Sequence, residues 1–425
     1  MKKVKLGDTK IQLIDGDRGS NYPSKKDFYK NGYCVFLDAS NVTKTGFNLE
    51  NPIFISKSKS DSMRNGKLIR DDIVITTRGT IGNICHYDEG IIYENIRINS
   101  GMLIIRNSDV FNTKYLYYLL RSEIVGNQIK TKTTGSSQPQ ITVGILNDVT
   151  LLLPDLPTQT AIANVLSALD EKIALNNKIN KELEAMAKAL YGYWFVQFDF
   201  PDENGKPYKS SGGKMVWNDN LKKKLPYKWE SCQLKYFLEN VNCTIISGRH
   251  LAGQFYTPID QLPKRQMCFF GGLNSDEAKS SLQAYKSGDI LLGAMRVYFH
   301  RVCIAPQNGI TRSTTMVLRP KNDEFLPFIY QLINDDLTIQ YAIKISIGTQ
   351  QPYVNWESSL SDYTVILPEE AVITKYSKII HPFINKIFYL VKENYALSQL
   401  RDYLLPLLMN GQVKISDPLI QRPLV

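Results

Sequence analysis

"TQTAIANVLSALDEKIALNNKINKEL" occupies residues 158–183. In it Ile162, Leu166, Leu169 and Ile173 recur at alternating steps of four and three, and Leu183, Ala187, Leu190 and Trp194 carry the stripe onward. Such spacing keeps side chains on one side of an α-helix, and over about five heptads it describes a coiled-coil seam. Asn176 and Asn180 interrupt the stripe in phase, and a polar residue in a seam fixes register at some cost in stability. The pattern predicts a long helix within 155–198, roughly 60 Å at 1.5 Å per residue. Thr158, just past two prolines, is its expected N-cap.

The pattern occurs twice. Adding 214 to Ile162, Leu166, Leu169, Ile173, Asn180, Leu183 and Leu190 lands on Tyr376, Ile380, Phe383, Ile387, Asn394, Leu397 and Leu404. The same offset takes Pro154 to Pro368. Upstream, "GSSQPQITVGILNDVTLLLP" (135–154) is answered by "GTQQPYVNWESSLSDYTVILP" (348–368), each a polar turn followed by an apolar run closed by Leu-Pro. The second helix is expected over 369–411, stopped by Asn410-Gly411.

The stretches before the helices read as mixed α/β. "YCVFLDASNV" (33–42) and "DDIVITTRGTIGNI" (71–84) have strand composition, with "QMCFFGGLN" (266–274) and "GDILLGAMRVYF" (288–299) as weaker counterparts. "TKYLYYLLRSEIVGNQI" (113–129) and "LPFIYQLINDDLTIQYAI" (326–343) have helical periodicity. The expected order is a first α/β domain (1–154), a long helix (155–198), a turn-rich linker (199–229), a second domain (230–368), a second long helix (369–411) and a tail (412–425). Two such copies pair most economically about a pseudo-twofold axis, which makes the helices an antiparallel coiled coil.

Charge is uneven along the chain. Residues 1–154 hold 21 Lys+Arg against 15 Asp+Glu and residues 222–368 hold 16 against 12, while the remaining stretches balance. The whole excess of +10 lies in these two blocks, the footprint expected of a polyanion partner. Six cysteines without a C-x-x-C pair and four histidines without ligand spacing give no zinc pattern and fit buried free thiols. No apolar run reaches the ~20 residues of a membrane span. The N-terminus has no apolar signal core, so a cytoplasmic location is expected.

The chain resembles a specificity subunit of a type I restriction–modification enzyme. The resemblance rests on the duplicated domain-plus-helix, the "LP-x-x-x-TQTAIANVLSALDEKI" helix entry, the "LRDYLLPLLMNG" ending (400–411) and "LPYKW" (225–229) opening the second domain. In the last, Tyr227-Lys228 stands where the family commonly has a glycine. The resemblance covers essentially the whole chain. It implies a non-catalytic subunit with two target-recognition domains that binds double-stranded DNA and holds two modification subunits and, through them, two restriction subunits. S-adenosylmethionine, ATP and Mg would then belong to those partners, with no cofactor or metal on this chain.

Two other classes stay in view. A self-contained methyltransferase or nuclease would need more than "NPIF" (51–54), which lacks the second proline of a methyltransferase loop, more than "FFGGLN" (269–274), and more than "PDENGK" (201–206), which lies in the turn-rich linker. A coiled-coil adaptor without DNA contact would leave the charge partition unexplained. For base readout the residue types and placement select Arg78, Thr80, Gln138 and Gln140 in the first domain, and Arg296, Gln350, Gln351 and Tyr353 in the second. Arg18, Arg64, Arg249 and Arg312 are further candidates. Arg78 and Arg296 are expected to be counterparts because each follows a "DI" strand. The aromatic cluster "YGYWF" (191–195) is a candidate docking patch for the modification subunits.

Overall fold

The computed structural model describes residues 2–133 and 140–413. The chain divides into two units, Met1–Glu171 with Ser398–Val425, and Lys172–Leu397.

The first unit is built on a four-stranded antiparallel sheet in the order Gln12–Asp15, Met102–Arg106, Ile73–Thr76, Ile84–His86. Its β-branched strands are apolar on both faces because both are covered. Ile73, Ile75, Leu103 and Ile105 face a core shared with the helices Thr113–Arg121 and Glu123–Thr133, and with Ile162, Leu166, Leu408 and Met409 of the long helices. Val74, Cys85, Met102 and Ile104 face a second core with Val35, Leu37, Ile96 and Ile98 of a small sheet. Lys2–Lys5 pairs antiparallel with Thr150–Leu153, which leads directly into the first long helix.

The second unit repeats this frame. Its four-stranded sheet runs Leu238–Asn240, Thr315–Pro320, Ile290–Gly293, Val302–Ile304, again antiparallel and in the same order. Glu230–Gln233 pairs with Thr364–Leu367, the strand before the second long helix. One buried ion pair recurs. Arg106 bonds both oxygens of Asp72 at 2.9 and 2.8 Å, and Arg319 bonds both oxygens of Asp289 at 2.7 and 2.8 Å. Each carboxylate is 1% exposed and also accepts a backbone N–H from three residues upstream, Ile69 or Lys286. These bidentate hydrogen bonds raise both guanidinium pKa values. The copies therefore share a frame that their sequences barely show.

The long helices span Leu156–Tyr191 and Glu370–Met409, and each runs from one unit into the other. Within the first unit Arg401 donates to Asp170 at 2.7 Å. Within the second, Asn176 donates to Asn394 at 2.9 Å and the Tyr376 hydroxyl donates to the Ala187 carbonyl at 3.0 Å. In each unit these pairings, with the packing of Ile162 and Leu166 beside Leu408, run antiparallel. Of the expected seam, Ile162, Leu166, Asn180, Tyr376, Ile380 and Ile387 are buried. Leu169, Ile173, Leu183, Leu190, Phe383, Asn394, Leu397 and Leu404 are half-buried. Asn176 and Asn394 do bond each other, as register residues should.

Several local expectations are corrected. The first helix is capped by Asp155 rather than Thr158, since the Asp155 carboxylate accepts the Thr158 N–H at 2.8 Å. The Thr158 hydroxyl and N–H hold that carboxyl below its usual range. The second helix does end at Asn410-Gly411, where Gly411 has φ 69° and Gln412 N–H closes on the Leu407 carbonyl. Most of 266–274 is irregular. The counterpart of Cys34–Leu37 is Phe255–Tyr256, because each makes the parallel pairing of its unit, Val35 with Ile96 and Tyr256 with Ile310. Residues 199–229 are no bare linker. They contain the hairpin Met215–Asn218 and Lys223–Pro226, and Phe200 and Trp229 stack with ring centroids 5.0 Å apart. Tyr191, Trp194 and Phe195 are buried in the second unit's core, so these members of the aromatic cluster are not a docking patch. "PDENGK" is a turn in which the Asp202 carboxylate accepts from the Asn204 and Lys206 N–H groups.

Glu184, on the first long helix, lines a cavity of about 230 Å³ in the second unit with Lys181, Lys188, Arg265 and His300. Burial pushes its carboxyl up to about 7, against the opposing pull of a hydrogen bond from Met267 N–H. Burial draws His300 down. Glu184 thus keeps its proton in the folded chain across the window, about pH 4.5 to 7, in which the unfolded chain has lost it. Stability from this group is complete below that window, falls as pH rises through it and levels off above. Glu184→Gln should remove this slope and stabilise the second unit at pH 8 by roughly 3 kcal/mol, following 1.36 kcal/mol per pKa unit. Denaturant unfolding of both proteins at pH 5 and pH 8 checks it, and parallel stability curves would contradict it.

Candidate nucleic-acid interface

In the first unit three segments meet where the strand Ile73–Thr76 ends. Thr77 N–H and Arg78 N–H both donate to the Gly101 carbonyl, at 2.7 and 3.3 Å, and Ile141 N–H donates to the Thr77 carbonyl at 3.2 Å. This pinning projects Arg78, which is exposed, beside Gln140, and Arg78 Nη2 donates to Gln140 Oε1 at 3.1 Å. Gly79 follows in the left-handed region with φ 74°, and the exposed Thr80 anchors its hydroxyl on the Ala39 carbonyl at 3.0 Å. Asp15, Arg18, Thr77 and Gln140 line a small adjoining cavity. Arg18 is paired with Asp15 at 2.9 Å. Nearby the buried Asp17 accepts N–H groups from Gly19 and Arg64, which staples the segments carrying Arg18 and Arg64 together and lowers its pKa. Gln138 lies outside the described residues.

The second unit makes the same three-way junction with other residues. Ala294 N–H and Met295 N–H donate to the Thr314 carbonyl at 3.0 and 3.4 Å, and Val354 N–H donates to the Ala294 carbonyl at 3.1 Å. Ala294 therefore corresponds to Thr77, Thr314 to Gly101 and Val354 to Ile141. By the same register Met295 stands at the place of Arg78, Arg296 at that of Gly79 and Tyr353 at that of Gln140. The expected equivalence of Arg78 with Arg296 is off by one residue. Counting from the buried aspartates finds the register, since Arg78 is six residues after Asp72 and Met295 six after Asp289.

Arg296 is partly exposed, and its N–H donates to the Pro352 carbonyl at 2.7 Å. Tyr353 bridges to both Met295 and Ile347 and donates its hydroxyl to the Ser313 carbonyl at 3.2 Å. Gln350 and Gln351 are exposed on the loop between Ile347 and Tyr353, and Arg249 and Arg312 are exposed elsewhere on this unit. The structure thus gathers Arg78, Thr80 and Gln140 on one surface, and Arg296, Gln350, Gln351 and Tyr353 on its counterpart. Met295 was missed because an apolar residue carries no readout signal of its own.

Residues 1–185 match a family described as the type I restriction modification DNA specificity domain. Those residues take in the first domain and the entry of its long helix. The chain is 26% identical over 362 residues to the type I restriction enzyme MjaIX specificity subunit of Methanocaldococcus jannaschii, covering 81% of this chain and 78% of that protein. It is 27% identical over 190 residues to the HindI specificity subunit of Haemophilus influenzae, covering 43% of this chain and 40% of that one. The fold is similar to the crystal structure of the type I restriction–modification S subunit from M. genitalium, with TM-score 0.53, 17% identity and coverage of 96% and 95% of the two chains. The helix entry lies within the matched residues, so the resemblance it carries is shown.

Among the described residues no helix is long and apolar enough to cross a membrane, and no cluster of His, Cys, Asp and Glu could hold a metal ion.

The junction differs in backbone strain between the copies. Arg296 has φ 53° and ψ 52°, so a residue with a Cβ sits where the first copy uses Gly79. A left-handed non-glycine residue costs roughly 1 kcal/mol. Arg296→Gly should accordingly stabilise the second unit by about 0.5–1 kcal/mol, and Gly79→Ala should destabilise the first by a similar amount. Urea unfolding monitored separately for each unit tests the pair, and a loss of stability in Arg296→Gly would contradict the assignment.

Proposed function

We propose that this chain reads a bipartite, asymmetric DNA target and holds the modification and restriction subunits that act on it. The observation that carries the reading is one frame used twice with unlike surfaces. Both units have the same sheet order and the same buried Asp–Arg pair, yet Arg78 and Gln140 in one correspond to Met295 and Tyr353 in the other. Two readers on one frame select two different half-sequences. The chain itself is non-catalytic and contributes base contacts and position. The methyl donor S-adenosylmethionine, ATP and Mg belong on two modification and two restriction subunits, and the complex works in the cytoplasm.

In this proposal the two readers are related by a pseudo-twofold axis and the antiparallel helices set the unread spacer between half-sites. The basic excess of the first domain, 21 Lys+Arg against 15 Asp+Glu in residues 1–154, supports the DNA partner, since phosphate neutralisation makes affinity fall steeply with salt. Filter binding at 50 and 200 mM salt should show that loss, and salt-independent retention or none would favour an adaptor.

The ruler has its own test. Duplicating Leu175–Lys178 adds four residues, about 6 Å of rise and roughly 40° of rotation. One or two base pairs of about 3.4 Å each match that change. The enzyme assembled with this variant should modify the same half-sequences with a spacer longer by one or two base pairs. Altered half-sequences with an unchanged spacer would refute the ruler.

A further inference from the structure

Arg78 is exposed, and among the described residues its guanidinium hydrogen-bonds to Gln140 alone. Its backbone is fixed on Gly101, and Gln140 is fixed next to Ile141, whose N–H is bound by the Thr77 carbonyl. The two side chains therefore come from segments 62 residues apart that are locked to each other by main-chain bonds. One guanidinium N–H is occupied by the amide oxygen, and the residue as a whole is exposed. A guanidinium held by one edge presents its other edge as a planar pair of donors, the shape that matches O6 and N7 of guanine in the major groove. Phosphate contacts need only charge, whereas a planar fork with an amide behind it restricts direction.

The other groups near this junction favour the same use. Arg18, which lines the adjoining cavity, is already paired with Asp15, whereas Arg78 has no carboxylate partner among the described residues. Gly79, left-handed and without a Cβ, lets the loop turn immediately behind Arg78 and keeps its flank open. In the second unit neither half of the pair exists at the matching register. Met295 has no donor, and the Tyr353 hydroxyl is engaged with the Ser313 carbonyl.

We infer that Arg78 is a specificity-determining residue that reads one guanine in the first half-site, with Gln140 as its positioning residue, and that the second half-site has no such arginine–amide reader at the matching step. The inference rests on the proposed DNA-reading function and names the base it selects. At the second junction Met295 offers an apolar surface suited to a thymine methyl.

The test uses the full chain assembled with its modification subunits and a library randomised at every position of the wild-type target, scored by methylation-sensitive sequencing. Arg78→Ala should lose about 5- to 150-fold of discrimination at a single G·C pair of the first half-site, the range for one bidentate pair. The second half-site should be unchanged. Arg78→Lys should recover modification rate without recovering that preference, because an ammonium lacks the fork. Gln140→Ala should blunt preference at the same base pair, and Gln140→Glu, which keeps an acceptor for Nη2, should restore it. Since Arg78 is exposed, thermal unfolding of each variant should match wild type.

A fall in modification spread evenly over all bases would show a phosphate contact and overturn the inference. Relaxation at an A·T pair or in the second half-site would overturn it as well. A wild-type enzyme whose modified sites share no bipartite sequence would overturn the proposed function itself, a result distinguishable from failure of the Arg78 variants alone.

Discussion

Ile162 and Leu166 lie in a helix seam and in the core of a sheet-rich unit at once, packed with Leu408 and Met409 of the other long helix. In the second unit Ala187 shares a core with Tyr376, Ile380 and the sheet residues Ile290 and Leu318. This double use is the constraint on which the rest depends. An isolated helix of 36 or 40 residues gains little from propensity in water and is stabilised by covering its apolar stripe. Here the stripe is covered by a partner helix and by a domain together. Each domain must therefore deliver its last strand directly into the helix at a fixed angle. That is why the stretch ending in Leu-Pro is written twice.

Beneath the surface the two units are held to one frame by a buried charge pair. Removing one partner of such a pair leaves an uncompensated charge out of water, typically a loss of 3–5 kcal/mol. Asp72 and Asp289 further tie down backbone N–H groups at the turn before their strands. The loops that follow carry no such constraint. At their starts, Thr77–Arg78 and Ala294–Met295, these loops are pinned through main-chain bonds, which any side chain permits. A fold of this kind can change what it touches without changing how it stands.

What the sequence showed and what it hid follow the same physics. Seam residues from Ile162 to Leu404 were legible because the 3,4 spacing persists over many turns and is repeated at a constant offset. The helices at 113–129 and 326–343 were legible too, although each is broken once, at Ser122 and Asp335. The Asp155 cap was misplaced by three residues because Asp155 and Thr158 are both good caps and differ only in which one stands just outside the helix, which begins at Leu156. "QMCFFGGLN" has strand composition, but its residues are spent on ring contacts such as Phe270 with Tyr395 rather than on ladder pairing. Turn-forming residues in 199–229 hid the few aromatics, Phe200 and Trp229, that fold it onto a core. Residue type alone paired Arg78 with Arg296, whereas hydrogen-bond register paired Arg78 with Met295.

The central claim is that two diverged copies of one reader each select their own half-sequence about a pseudo-twofold axis. It is tested most directly by replacing residues 230–368 with a second copy of residues 2–154 and mapping the sites modified by the assembled enzyme. Two identical readers related by a twofold axis meet DNA as an inverted repeat. The account predicts a palindromic target made of the first half-sequence and its inverse, with the wild-type spacer. A direct repeat, or retention of the original asymmetric target, would contradict it.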